Sequence, residues 1–227
     1  MRLLIRTVAL TSLKELSRRR VALLFVFLLP LAFFVLRIEV HWQALRFLAI
    51  GVGWAIATLA LFSHVASRRI DSRLAVMGAS PSALFLGRQL ALVTLGLITA
   101  GAYFVVAAVS LDVPRLAAVA LLLATTVLIA APLGALVSML IPRELEGALA
   151  LLAIMAMQLL ADPASTAARL LPFWSTRELS SYAIEPVGVE VLHSGLLHAA
   201  VTLAVAFGLA WVVSVLRIRT VKLVEPT

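Results

Sequence analysis

The sequence predicts an all-α integral membrane protein: six transmembrane helices, an N-terminal amphipathic interfacial helix, and a short re-entrant region between spans 5 and 6. Three observations lead there. The 227 residues are 63% hydrophobic and 13% charged, against roughly 45–50% apolar and about 25% charged in soluble domains. The apolar residues fall into blocks about as long as a bilayer is thick. The basic residues gather in alternate connections between those blocks, as the positive-inside rule requires.

The first block is Val21–Leu36, short but extendable backwards through the helical residues before it. The second is Leu45–Ala66, the third Gln89–Leu111, the fourth Leu116–Ile141, the fifth Gly147–Ala161 and the sixth Val191–Leu216. Pro30 and Pro132 fall inside spans, where a membrane helix tolerates proline if neighbours satisfy the freed carbonyl. With the N-terminus inside, fourteen of the 19 basic residues are cytoplasmic: Arg2, Arg6, Lys14, Arg18, Arg19, Arg20, Arg68, Arg69, Arg73, Arg88, Arg143, Arg217, Arg219 and Lys222. The other five, Arg37, Arg46, Arg115, Arg169 and Arg177, are outside. Both termini are therefore expected in the cytoplasm. The formal charge of +8 follows from that bias and does not call for nucleic acid.

Residues 1–20 form the first element. Ile5, Val8, Ala9, Leu13 and Leu16 recur at helical spacing, with Thr7, Thr11, Lys14 and Arg18 opposite. That pattern suits a helix lying in the cytoplasmic interface, with a bend near Arg18–Arg20 separating it from the first span. The start lacks the apolar core and cleavage site of a signal peptide. The alternative is a straight cytoplasmic extension of the first span.

Between the second and third spans lies "HVASRRIDSRLAVMGASPSALFLGRQLAL". Ser67–Met77 has no Gly or Pro, so a helix can leave the second span. Gly78 permits a C-terminal cap. Ser80 is placed as an N-cap and Pro81 in the first turn of a new helix, which feeds the third span through Gly87 and Arg88. A simple turn needs only a few residues; this segment, 67–88, has far more, with four arginines and one acid. Those arginines either enforce topology or form a handle for a partner.

The fifth block is short: its residues rise about 22 Å against a core of roughly 30 Å. After Asp162 and Pro163 comes "ASTAARLLPFWSTRELSSYAI", too polar to span and too apolar for a free loop. We expect a helix that crosses most of the bilayer, then a segment at 162–190 that dips back, with Trp174 and Tyr182 at the interface. A short tilted helix with an ordinary amphipathic loop is the alternative.

Chemistry within the chain is sparse. There are no cysteines, which excludes disulfides and thiolate sites. His64 lies near the inner end of the second span, and His193 and His198 flank the start of the sixth. A spacing of five does not give the zinc pair of H-E-x-x-H, so satisfied or interfacial histidines are expected. There is no G-x-S-x-G, no paired acids in a span, and no G-x-x-x-x-G-K-[ST] for nucleotide. No catalytic, cofactor-binding or metal-binding residue is assigned.

"SRRIDSRLAVMGASPSALFLGRQL" (67–90) resembles the cytoplasmic segment of ABC-2-type transporter permeases, the type V exporter fold. Leu74, Ser80-Pro81 and Gly87-Arg88 carry the likeness. "LVSMLIPRELEGALALLAIMAMQLL" (136–160) is similar to the family's short connection between spans 4 and 5. "LLPFWSTRELSSYAI" (170–184) resembles its external re-entrant region. The chain carries Asp71 alone where the family often has Glu residues. The heme-exporter type of permease shares this plan.

The resemblance implies a single permease domain, 1–227, supplying half the pathway of an ATP-driven exporter in a prokaryotic inner membrane. The chain would not be an enzyme itself; ATP and Mg would be bound by a separate cytoplasmic ABC ATPase, in two copies. A second permease, identical or related, would complete the path, with spans 2 and 5 meeting across the dimer. The Ala-rich "GALALLAIMA" would permit close approach there. ATPase coupling would fall to Arg68, Arg69, Asp71, Arg73, Leu74, Met77, Ser80, Pro81 and Arg88. The re-entrant region would centre on Leu170, Leu171, Pro172, Phe173 and Trp174. Few charges in the spans favour an amphipathic or apolar cargo such as a lipid, drug or peptide. A membrane scaffold without transport explains the spans equally well, but not the long basic segment.

Overall fold

The computed structural model describes residues 1–162 and 165–224, with side chains through Ile218. Pro163 and Ala164, at the start of the expected external region, and the side chains of Arg219 and Lys222 lie outside the described residues.

The described residues form helices joined by turns and irregular segments, without strands. In chain order the helices are α1 (Arg2–Arg18), α2 (Arg20–Val35), α3 (His41–Val76), α4 (Pro81–Ser110), α5 (Leu116–Leu140), α6 (Glu144–Leu160), α7 (Thr166–Arg169), α8 (Ser175–Ile184) and α9 (Val189–Val224). Four of them, α3, α4, α5 and α9, are long and apolar enough to cross a membrane. α2 and α6 are apolar but have only 16 and 17 residues.

α3 and α5 form the centre. Between Ala44 and Leu61 almost every α3 residue is buried, as is most of α5 from Ala118 to Ser138. The two backbones approach closely at Gly134, where a Cβ would lie 2.0 Å from the Ala57 carbonyl oxygen and 2.8 Å from Ala60 Cβ. α2, α4, α6, α8 and α9 pack around this pair. Their outward positions keep large apolar side chains, such as Phe25, Ile98, Val105, Val201 and Leu209. Such a coat is costly in water and suited to lipid.

Both internal prolines sit within unbroken helices, Pro30 in α2 and Pro132 in α5. Tyr103 of α4 donates its hydroxyl to the Phe27 carbonyl, joining α4 to α2 beside Pro30.

The N-terminal pattern is realised, with one correction. The chain breaks at Arg19 (φ −82°, ψ 66°), so α2 starts at Arg20 and does not run back through the preceding residues. α1 turns the expected stripe inward: Ala9 and Leu16 are buried, with Ser12 between them, and Ile5, Val8 and Leu13 are partly covered. That stripe packs on α4. The contact depends on Gly87, where a Cβ would come within 2.7 Å of Val8 Cβ and 2.8 Å of the Ile5 carbonyl oxygen. Gly87→Leu should therefore lift α1 from α4. Trypsin cleavage after Lys14 and Arg18 should become several-fold faster in the folded, detergent-solubilised protein; an unchanged digestion rate would show that α1 is held by other contacts.

Candidate functional site

The ends of the helices alternate, so one end of the bundle carries residues 67–80 and the other carries 36–41, 111–116 and 160–189. The first is the candidate site. α3 continues ten residues beyond its apolar run without a break, to Val76. It ends where the Gly78 N–H donates to the Ala75 carbonyl (3.0 Å) and the Ala79 N–H to the Leu74 carbonyl (2.9 Å). This is the paired geometry of a Schellman cap, and Gly78 supplies the left-handed residue it needs, φ +98°. α4 then begins at Ser80-Pro81 with proline in its first turn. Ser80 occupies the N-cap position, but its side chain accepts no amide hydrogen bond. The expected cap is thus positional only.

The nine residues assigned to ATPase coupling divide into two sets. Arg68, Asp71 and Arg88 are engaged inside the chain. Arg68 donates to the carbonyls of Ser138 and Pro142 (the latter at 3.3 Å), satisfying the C-terminal end of α5, where carbonyls lack helical partners. Arg88, 6% exposed, pairs with Asp71 at 2.7 Å (Nη2 to Oδ1), and Ser67 Oγ donates to the other carboxylate oxygen at 3.2 Å. These three fasten the lever to the rest of the chain. Arg69, Arg73 and Met77 point outward; Leu74, Ser80 and Pro81 are partly covered. The outward set also includes Ile70 and Val76. Neither carries a motif that singles it out in sequence.

The result is a two-helix lever. Its exposed tip is mixed basic and apolar, and its base is tied to α4 by the Asp71–Arg88 pair and to α5 by Arg68. Trp211 of α9 adds a further tie, donating Nε1 to Ser82 Oγ at 3.2 Å. Deeper in the bundle His64 is buried, with Nε2 3.3 Å from Gln89 Nε2 and its ring packed on Phe85. It is a satisfied core histidine.

No family model matches the chain, and no curated protein does. Among the described residues no cluster of His, Cys, Asp or Glu could hold a metal.

At the opposite end the expected re-entrant residues lie around α7 and the turn before α8. Phe173 is fully buried beside Gly53 and Thr126, and its amide donates to Gln158 Oε1 at 3.1 Å. The Gln158 backbone carbonyl in turn accepts from the buried Arg46 (2.9 Å). Pro172 and Leu171 are near the surface and Leu170 is 85% exposed. Trp174 is buried, its ring tilted against His198 and beneath Arg169. His198 Nε2 lies 2.9 Å from the Arg169 carbonyl, to which it donates, while His193 is exposed. Arg115 closes the end of α8, donating to the carbonyls of Tyr182 and Glu185 and covering the Tyr182 ring.

A groove of about 320 Å³ runs between α2 and α3, lined by Phe25, Leu29, Trp54, Thr58 and Phe62 among others. Trp54 Nε1 and Thr58 Oγ1 are buried without a hydrogen-bond partner. On α6, Gly147, Leu151, Met155 and Gln158 face inward, while Leu149, Leu152, Ala153 and Met157 face out. α3, the expected partner of α6 across a dimer, is mostly covered within its own chain.

Proposed function

We propose that this chain is the permease subunit of an ABC-2-type exporter, moving an amphipathic or apolar cargo on energy supplied by a separate ATPase. The observation that carries this reading is the lever formed by the end of α3, the Schellman break and the start of α4. A passive connection needs neither a ten-residue helical projection nor a buried ion pair at its root. A push on an exposed tip fastened in this way is delivered to α3, α4 and α5 together, because the fastenings leave it little freedom to bend separately.

In this reading α2 and α6 complete six crossings, both termini share the side of the lever, and that side is the cytoplasm of a prokaryotic cell. The excess of arginine there supports it. α7, the turn at Leu170–Trp174 and α8 form the re-entrant region. Fully buried Phe173, its amide held by Gln158, supports a segment that enters the bundle, since irregular backbone at that depth needs protein partners. The apolar groove between α2 and α3 supports an apolar cargo, which Trp54 Nε1 and Thr58 Oγ1 would orient through an acceptor group. A second permease and two ATPase subunits complete the machine; ATP and Mg belong to those partners.

The test uses Arg69 and Arg73, which are exposed and make no fastening. The tagged chain, captured from its own cells' membranes, should carry an ATPase whose turnover depends on the complex. Arg69→Glu with Arg73→Glu should lower turnover by about tenfold or more, since like charges set against a partner's surface cost several kcal/mol. Folding, followed by thermal midpoint, should be unchanged. A captured chain without ATPase, or full turnover in the double variant, overturns the proposal.

A further inference from the structure

Between α1 and α4 runs a groove of about 410 Å³, lined by Arg2, Arg6, Leu10, Leu13, Leu90 and Thr94 among others. We propose that it holds an anionic phospholipid from the leaflet at the lever end. The headgroup phosphate lies between Arg2 and Arg6, and the first part of one acyl chain lies along the apolar wall. The inference does not depend on the ATPase reading.

Charge is the first reason. Arg2 and Arg6 stand four residues apart on α1, neighbours on one helix face. Both are exposed, and among the described residues neither makes an ion pair. Glu15, the one acid in α1, lies more than two turns further on and is paired with Arg19 at 2.8 Å. α4, the other wall of the groove, contains no acid. Like charges at this helical spacing repel, and a phosphate set between them replaces that repulsion with charge-assisted hydrogen bonds. Guanidinium groups match phosphate oxygens in geometry as well as charge. A zwitterionic lipid gains less, because its own cation comes to the same place.

The second reason is the apolar wall and its level. Arg2 and Arg6 head a stripe that continues through Ala9 and Leu13, all four lining the groove at helical spacing. Leu10 on α1 and Leu90 on α4 are 57% and 50% exposed there. The Ile5 carbonyl oxygen would be 2.8 Å from a Cβ on Gly87. Arg6, the next residue, is therefore close to the level of Gly87, just ahead of the apolar run of α4 that opens at Gln89. In a bilayer, headgroups meet hydrocarbon at such a boundary. A soluble anion would satisfy the arginines and leave Leu10 and Leu90 bare; a lipid covers both.

The test offers the purified full chain, tagged at its C-terminus, phosphatidylglycerol or phosphatidylcholine with identical acyl chains, and reads bound lipid by native mass spectrometry. Phosphatidylglycerol should bind about tenfold more tightly, as two arginines beside an anionic headgroup imply. Arg2→Gln with Arg6→Gln should abolish the preference without moving the thermal midpoint, since both side chains are exposed. Lys14→Gln with Arg18→Gln removes the same charge from α1 at exposed positions outside the groove and should leave most of the preference. Glycerol 3-phosphate, which carries the phosphate without acyl chains, should displace the lipid only at far higher concentration. Equal binding of the two lipids, or a preference that survives the Arg2 and Arg6 substitutions, overturns the proposal. So does an equal loss in the Lys14 and Arg18 variant, which would make the attraction a property of the whole basic surface. Glycerol 3-phosphate competing as well as the lipid would assign the arginines to a soluble anion and overturn the lipid assignment.

Discussion

Gly134→Ala should be among the most damaging single-atom-scale changes in this protein, lowering stability by about 3 kcal/mol. The added methyl would fall 2.0 Å from the Ala57 carbonyl oxygen and 2.7 Å from its carbonyl carbon. Both atoms belong to backbone in the middle of α3, so no side chain can rotate aside. Relief requires α3 and α5 to separate, and they form the centre around which the other helices are arranged. Separation would also weaken dispersion attraction along the whole crossing, adding to the local clash. Gly101→Ala is the control: it lies within α4, and a Cβ there meets nothing within 4 Å. That change should be neutral or slightly stabilising, because glycine is a poor helix former. Thermal midpoints of the two variants in one detergent separate the effects. Equal midpoints would mean that α3 and α5 do not cross where Gly134 places them.

The second large effect concerns Asp71 and Arg88. Removing one member of a buried ion pair typically costs about 3–5 kcal/mol, because the remaining charge is left unmatched. The two halves differ. Arg88→Leu leaves Asp71 with the Ser67 hydroxyl and with some access to water at its 15% exposed side chain. Asp71→Leu leaves an Arg88 side chain that is 7% exposed and whose Nε already lacks a partner. The loss should therefore be greater for Asp71→Leu. Asp71→Leu with Arg88→Leu together should recover most of the stability, since paired apolar replacements of a buried ion pair are often nearly neutral. A double-mutant cycle on thermal midpoints reads the coupling directly. If the chain is the exporter subunit proposed above and the fastened lever transmits motion, the stable double variant should lose transport while keeping its fold; retained transport would show that the pair serves stability alone.

Much of this arrangement is legible in the residues. The apolar blocks locate the apolar cores of α3, α4, α5 and α9, because burying apolar side chains from water needs no knowledge of what lies beside them. Gly78 and Ser80-Pro81 locate the break in the lever, because backbone preference is local. The stripe on α1 is likewise visible as a 3.6-residue period. Less is visible where one helix must know about another. Arg68, Arg69 and Arg73 look alike in sequence, yet Arg68 turns in to cap α5, seventy residues away along the chain, while its neighbours turn out. Trp174 reads as an interfacial aromatic, and nothing local to it shows that His198 of α9 packs on its ring.

The sequence by itself determined that the chain is built of apolar helices suited to a bilayer, where their apolar cores lie, and where a basic helical projection interrupts them. These follow from composition, period and backbone preference, each set within a few residues. Only the tertiary structure decided which charges are fastened and which are free to meet a partner. It also decided that α3 and α5 make the centre, and that α1 lies against α4 rather than lipid alone. Those outcomes depend on the separation of atoms brought together from distant parts of the chain, which no local pattern encodes.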